Sequence, residues 1–85
     1  MNINEFWMKL QQNEGVEFIT VSALSFKYQF VSENTIRVSR ANQLISKVNF
    51  EKAIERMPIE GPGEISKLVR GSAYVYALLM DVRLQ

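Results

Sequence analysis

The chain has no cysteine and no histidine among its 85 residues. Without cysteine there is no disulfide to staple a small core and no thiolate to act as nucleophile or soft metal ligand. Without histidine, the commonest metal ligand and the commonest general base at neutral pH are both missing. A serine nucleophile would have only lysine as its base. Glu17, Glu60, Glu64 and Asp81 show no spacing that brings two carboxylates together for acid–base work. Gly61-Pro62-Gly63 lacks the Lys-Ser/Thr pair of a phosphate loop. The expectation is a protein that is not an enzyme and holds no metal or cofactor.

Long apolar runs are missing as well. The longest near-apolar stretch, Ala73–Met80, lies between Arg70 and Asp81 and falls far short of the roughly 20 residues that span a bilayer. The opening Met-Asn-Ile-Asn-Glu-Phe-Trp has neither the basic start nor the apolar centre of a signal peptide. A cytoplasmic location without a membrane partner is expected. Charge of one sign is scarce too: ten Lys and Arg face nine Asp and Glu, for a net charge of +1, too little to draw polyanions to the chain as a whole. The imbalance is local. Between Lys27 and Lys47 stand Lys27, Arg37, Arg40 and Lys47, opposed by Glu33 alone.

What the chain does have is hydrophobic content, at 47%, enough for a packed core and far above a disordered segment. Asn2 or Asn4 can cap a first helix whose Ile3, Phe6, Trp7 and Leu10 share one face, with Gly15 after its end. Three extended runs follow: Val16–Val21, Phe26–Val31 and Thr35–Ser39. The first is apolar on both faces and reads as a well-covered strand. The second alternates, Phe26, Tyr28 and Phe30 on one side and Lys27 and Gln29 on the other. Ser32-Glu33-Asn34 connects it to the third, with Asn34 as the residue expected at positive φ.

Residues 40–48 fit either a loop or a further short strand. Asn49 is expected to cap a helix with Phe50, Ala53, Ile54 and Met57 inward, stopped by Pro58. Glu64–Val69 reads as a short helix ended by Gly71, and Ser72 as the cap of a final helix with Val75, Leu78, Leu79 and Val82 inward. The expected fold is α+β in one domain spanning residues 1–85. It is a small three-stranded antiparallel meander packed against three to four helices, in the order α-β-β-β-α-α-α.

Two kinds of surface emerge. The final helix carries more apolar and aromatic area than a thin core needs, so Tyr74, Tyr76, Met80 and Leu84 are candidate protein-interface residues. A small interaction module that forms a homodimer or joins a larger protein is the leading expectation. The alternative is an accessory protein that binds DNA or another nucleic acid through a basic sheet face and the following loop. Lys27, Arg37, Arg40 and Lys47 would supply that face. Arg70 and Ser72, at the start of the last helix, would add a backbone-phosphate contact. A helix-turn-helix over Glu64–Leu84 is disfavoured, because Ala73–Met80 has no Arg, Asn or Gln to reach bases. The aromatics Phe18, Phe26, Tyr28 and Phe30 are expected in the core, not as a stacking platform for bases.

Overall fold

The computed structural model describes all 85 residues, Met1–Gln85. Asn2 opens helix α1 (Ile3–Gln12), its side-chain oxygen accepting from the N–H groups of Asn4 and Glu5 at 2.8 and 3.2 Å. Two of the four orphan donors of the first turn are thereby satisfied. Phe6, Trp7 and Leu10 form the buried face. The chain leaves the helix through Gly15, at φ 85.

Five strands follow in two sheets, where a single three-stranded meander was expected. Strands β1 (Phe18–Ile19) and β2 (Ser25–Phe26) form an antiparallel ribbon, with Phe18 opposite Phe26 and Ile19 opposite Ser25. Strands β3 (Tyr28–Ser32), β4 (Thr35–Val38) and β5 (Gln43–Ser46) make an antiparallel sheet in the order β3-β4-β5. Three local causes explain the difference. The run Val16–Val21 is cut short because the chain reverses at once, with the Ala23 N–H bonded to the Thr20 carbonyl and Ala23 at φ 64. The run Phe26–Val31 is divided at Lys27, which leaves the first ribbon to bond Ser39, the residue after β4. The third strand of the meander comes from the segment compatible with either loop or strand, where Ile45 pairs with Ile36 and buries fully.

The turns also differ from expectation. Ser32 pairs directly with Thr35, so the connection is Glu33-Asn34, with the register shift absorbed between Phe30 and Ser32. Asn34 is not at positive φ. Besides glycine, that conformation falls on Ala23, Ala41 and Asn42.

Helix α2 (Lys47–Glu55) begins straight after β5, with Ser46 rather than Asn49 at its cap position. Asn49 lies inside the first turn. Its side chain bonds the Ser46 hydroxyl at 3.0 Å and accepts the Arg70 N–H at 2.9 Å. The expected helix over Glu64–Val69 is a single 3-10 turn, Pro62–Ile65, followed by further turns. So short a segment between Gly63 and Gly71 gives few helical bonds for the cost of nucleation. Helix α3 (Ser72–Met80) has Gly71, not Ser72, at its cap position, in the left-handed conformation and with no side-chain cap bond. A last 3-10 turn, Val82–Leu84, closes the chain.

The inner face of the β3-β4-β5 sheet carries Tyr28, Ile36, Val38 and Ile45, all buried, and joins the buried faces of the three helices in one hydrophobic cluster. Aromatic rings run through that cluster as a chain. Phe6 meets Phe50 at 5.5 Å, Phe50 meets Trp7 at 5.4 Å, and Trp7 meets Phe30 at 5.5 Å. Phe30 meets Tyr28 at 6.2 Å, and Tyr28 meets Phe18 at 5.8 Å. Phe18 meets Phe26 at 6.1 Å, and Phe26 meets Tyr74 at 5.1 Å. Eight of the nine aromatic residues belong to this chain, Tyr76 being the exception. Such separations suit offset and edge-to-face packing. The polar ends are satisfied: Trp7 donates to the Glu33 carbonyl at 2.8 Å and Tyr28 to the Leu10 carbonyl at 2.5 Å. The aromatic-core expectation therefore holds for Phe18, Phe26 and Tyr28, with Phe30 half-buried. No helix is long and apolar enough to cross a membrane.

Candidate functional site

The period of two that sends Tyr28, Ile36 and Val38 inward sends Gln29 and Arg37 outward, opposite one another across β3 and β4. Lys27 and Ser39 extend the same outer face by one step. Their backbones are joined by a 2.8 Å bond from the Ser39 N–H to the Lys27 carbonyl, and the Ser39 hydroxyl accepts the Lys27 N–H at 2.9 Å. Lys27 is thus a diagonal cross-strand neighbour of Arg37, a placement that separates the Cβ atoms by about 7–8 Å or somewhat less. Gly15, Lys27, Tyr28, Gln29, Arg37, Ser39 and Asn42 line an open concavity of about 340 Å³. No carboxylate is among them.

The chain has one ion pair, Arg83 with Asp81 at 2.8 Å, so Lys27 and Arg37 are both uncompensated. The acid nearest in sequence to this surface, Glu14, is committed elsewhere. Its Oε2 accepts the Phe30 N–H at 2.7 Å, while the Gly15 N–H bonds the Tyr28 carbonyl at 3.2 Å. These two bonds cover the outer edge of β3, which would otherwise present unpaired backbone groups. Burial, reinforced by the nearby Glu14 charge, pushes the Tyr28 phenol far above its ordinary range, and it remains a neutral donor to Leu10. Hydrogen bonding to Arg83 holds the Asp81 carboxyl below the usual carboxylate range. Arg83 also lies 4.2 Å from the Phe18 ring centroid and donates to the Glu17 carbonyl at 3.2 Å. That cluster fastens the chain end to β1.

The other basic candidates do not converge on the concavity. Arg40 follows on the 3-10 turn Arg40–Asn42, with its Nε donating to the Ser25 carbonyl at 2.7 Å. Lys47 stands at the opposite end of the sheet, half-buried, with Nζ 3.3 Å from Asn4 Oδ1 and 5.8 Å from the Trp7 ring centroid. Arg70 is exposed and Ser72 half-buried, on a turn whose Gly71 lies against Ile45 and Gln43. That is the inner side of β5, so these two residues belong to a different surface from Lys27 and Arg37.

Of the four interface candidates, Leu84 is buried at 1% exposure. Tyr74 packs edge-on against Phe26, and Tyr76 donates its hydroxyl to the Glu60 carbonyl at 3.1 Å. Met80 is the most open of the four, at 39% exposure, while Tyr74 and Tyr76 are half-buried. Three exposed large apolar side chains lie close together in sequence elsewhere, on the β1–β2 hairpin. Phe18, Thr20 and Phe26 turn inward, while Ile19, Val21 and Leu24 stand 61%, 65% and 45% exposed. The signal was present in the sequence: Phe18–Phe26 contains no charged residue, and its turn, Val21-Ser22-Ala23, has no Gly, Pro, Asn or Asp. Comparison with protein families, curated proteins and solved structures finds no match for this chain.

Proposed function

We propose that this chain is a small, non-enzymatic interaction module that self-associates, with the β1–β2 hairpin as its contact surface. The observation that carries this reading is the solvent exposure of Ile19, Val21 and Leu24 on one short hairpin. A charge-free stretch from Phe18 to Phe26 brings no like-charge repulsion when two identical hairpins meet, which favours a second copy over a charged partner. The surface is small, so the dimer is weak and concentration-dependent. Light scattering at high micromolar concentration is expected to show dimers in the native chain and monomers in Val21→Asp. Val21 is largely solvent-exposed, so the substitution leaves folding essentially intact. A native chain that stays monomeric across that range overturns the reading.

A second reading is supported by the absence of any carboxylate partner for Lys27, Arg37 and Arg40. It is an accessory protein that grips nucleic acid through the outer sheet face and the following turn. With Phe18, Phe26 and Tyr28 buried, contact would be made to the phosphate backbone. Salt-dependent binding to an oligonucleotide is expected, lost when Arg37→Ala and Arg40→Ala are combined. Retention of binding by that variant counts against this face.

A further inference from the structure

We infer that the concavity on the outer face of β3 and β4 is a binding site for a phosphate group, held between Lys27 and Arg37 with Ser39 and Asn42 as neutral donors. This goes beyond self-association and rests on the nucleic-acid reading only for where the phosphate comes from.

Three features carry the assignment. First, Lys27 and Arg37 line the same depression as diagonal cross-strand neighbours, and neither is paired with an acid. Two like charges on neighbouring positions of one sheet face repel one another, and an anion bound between them relieves that repulsion. Second, three further side chains of the lining, Gln29, Ser39 and Asn42, carry hydrogen-bond donors. The Asn42 amide has no intramolecular hydrogen bond, and the Ser39 hydroxyl, which accepts the Lys27 N–H, keeps its own proton free to donate. Gln29, opposite Arg37, adds a second amide. A guanidinium fork with an ammonium beside it suits the oxygens of a phosphate, which accept from both cations at once. Third, the framework is held firmly. Lys27 and Ser39 exchange two backbone-anchored bonds, and Arg37 sits on β4, the central strand of the sheet. Gly15 forms one wall without a side chain, and Glu14, the carboxylate that would repel an anion there, is tied to the Phe30 N–H.

The test is a titration of the full chain with inorganic phosphate at low ionic strength, followed by amide NMR shifts, with sodium chloride as the ionic-strength control. A parallel titration uses a short single-stranded oligothymidylate. Saturable shifts confined to Lys27–Gln29 and Arg37–Asn42 are expected with phosphate. Affinity should fall about tenfold or more in Arg37→Gln and stay unchanged in Lys67→Gln, whose lysine is exposed outside the site. If the oligonucleotide moves the same amides and competes with phosphate, the source is a nucleic-acid backbone. If phosphate binds and the oligonucleotide does not, the site stands, its ligand is a small phosphorylated molecule, and the nucleic-acid reading fails. Shifts that match the sodium chloride control, or that persist unchanged in Arg37→Gln, overturn the site.

Discussion

Phe50→Ala is expected to leave the chain largely unfolded at temperatures where the native protein is folded. Phe50 is fully buried on α2 and touches both Phe6 and Trp7 of α1, at 5.5 and 5.4 Å between ring centroids. It is therefore the link through which α1 and α2 share one core. Truncating a buried phenylalanine costs about 3–5 kcal/mol, part from lost transfer and part from the cavity left behind. A domain of this length has a total stability of about 4–13 kcal/mol at the usual per-residue range. The loss is thus a large fraction of the whole. Circular dichroism melts should show Tm lowered by more than about 12 °C, since each 1 kcal/mol shifts a domain this small by about 4–8 °C. A matched substitution at Val48, which is half-exposed at the start of the same helix, should move Tm by only a few degrees. Equal melting of Phe50→Ala and the native chain would mean that the aromatic chain is not the stabilising core.

The contrast between Phe50 and Val48 shows which part of the architecture was legible in the residues. Helical periodicity identified the inward faces of α1 and α2, because a stripe at 3.6 spacing has one physical solution, burial. Strict alternation in Phe26–Phe30 identified the inner face of the sheet and left Lys27 and Gln29 outside. Strand partnership was not legible. Whether Val16–Val21 or Gln43–Ser46 completes the meander depends on where the chain reverses, and that was set by Ala23, Ala41 and Asn42 adopting positive φ. Alanine rarely takes that conformation, so at Ala23 and Ala41 no residue-level signal marks the reversal. Helix starts were obscured for a related reason. Asn49 has the chemistry of a cap, yet its amide is used to fasten the Arg70 backbone to α2, a contact 21 residues away in sequence.

The same limit applies to the surfaces. The basic excess between Lys27 and Lys47 is visible in composition, but cross-strand register decides which charges meet. Register brings Lys27 next to Arg37 and sends Lys47 to the far end of the sheet, against Trp7. The apolar surplus of the last helix was likewise real in composition. It is absorbed by contacts that only the tertiary fold supplies, with Tyr74 on Phe26 and Tyr76 on Glu60. What is left uncovered is the hairpin, where two strands of two residues each cannot bury both of their faces.

Alanine substitution at three of the four glycines should produce a graded series with Gly71→Ala at its far end. At Gly61 a Cβ meets nothing within 4 Å, and the backbone is extended, at φ −172. Alanine there should be neutral or slightly stabilising, by restricting the unfolded chain. At Gly15 the space is again open but φ is +85, so only the left-handed conformation is penalised, by about 1 kcal/mol. At Gly71 both costs fall together. The backbone is at φ +65, and a Cβ would lie 2.7 Å from Ile45 Cδ1, 3.2 Å from Ile45 Cγ1 and 3.3 Å from Gln43 Cδ. Ile45 is fully buried and paired with Ile36 across β5 and β4, so its side chain has little room to yield. Overpacking of that kind costs about 1–3 kcal/mol beyond the backbone term, for a total of about 2–4 kcal/mol. Urea denaturation of the three variants should therefore rank them Gly61, Gly15, Gly71 in increasing loss of stability. Ile45→Val in the Gly71→Ala background should recover part of the loss, because it removes the Cδ1 methyl that the new Cβ strikes. If Gly71→Ala is no worse than Gly15→Ala, or if Ile45→Val adds a further loss instead of offsetting one, the close approach of the α3 start to β5 is wrong. The assignment of Arg70 and Ser72 to the inner side of the sheet, apart from Lys27 and Arg37, would fall with it.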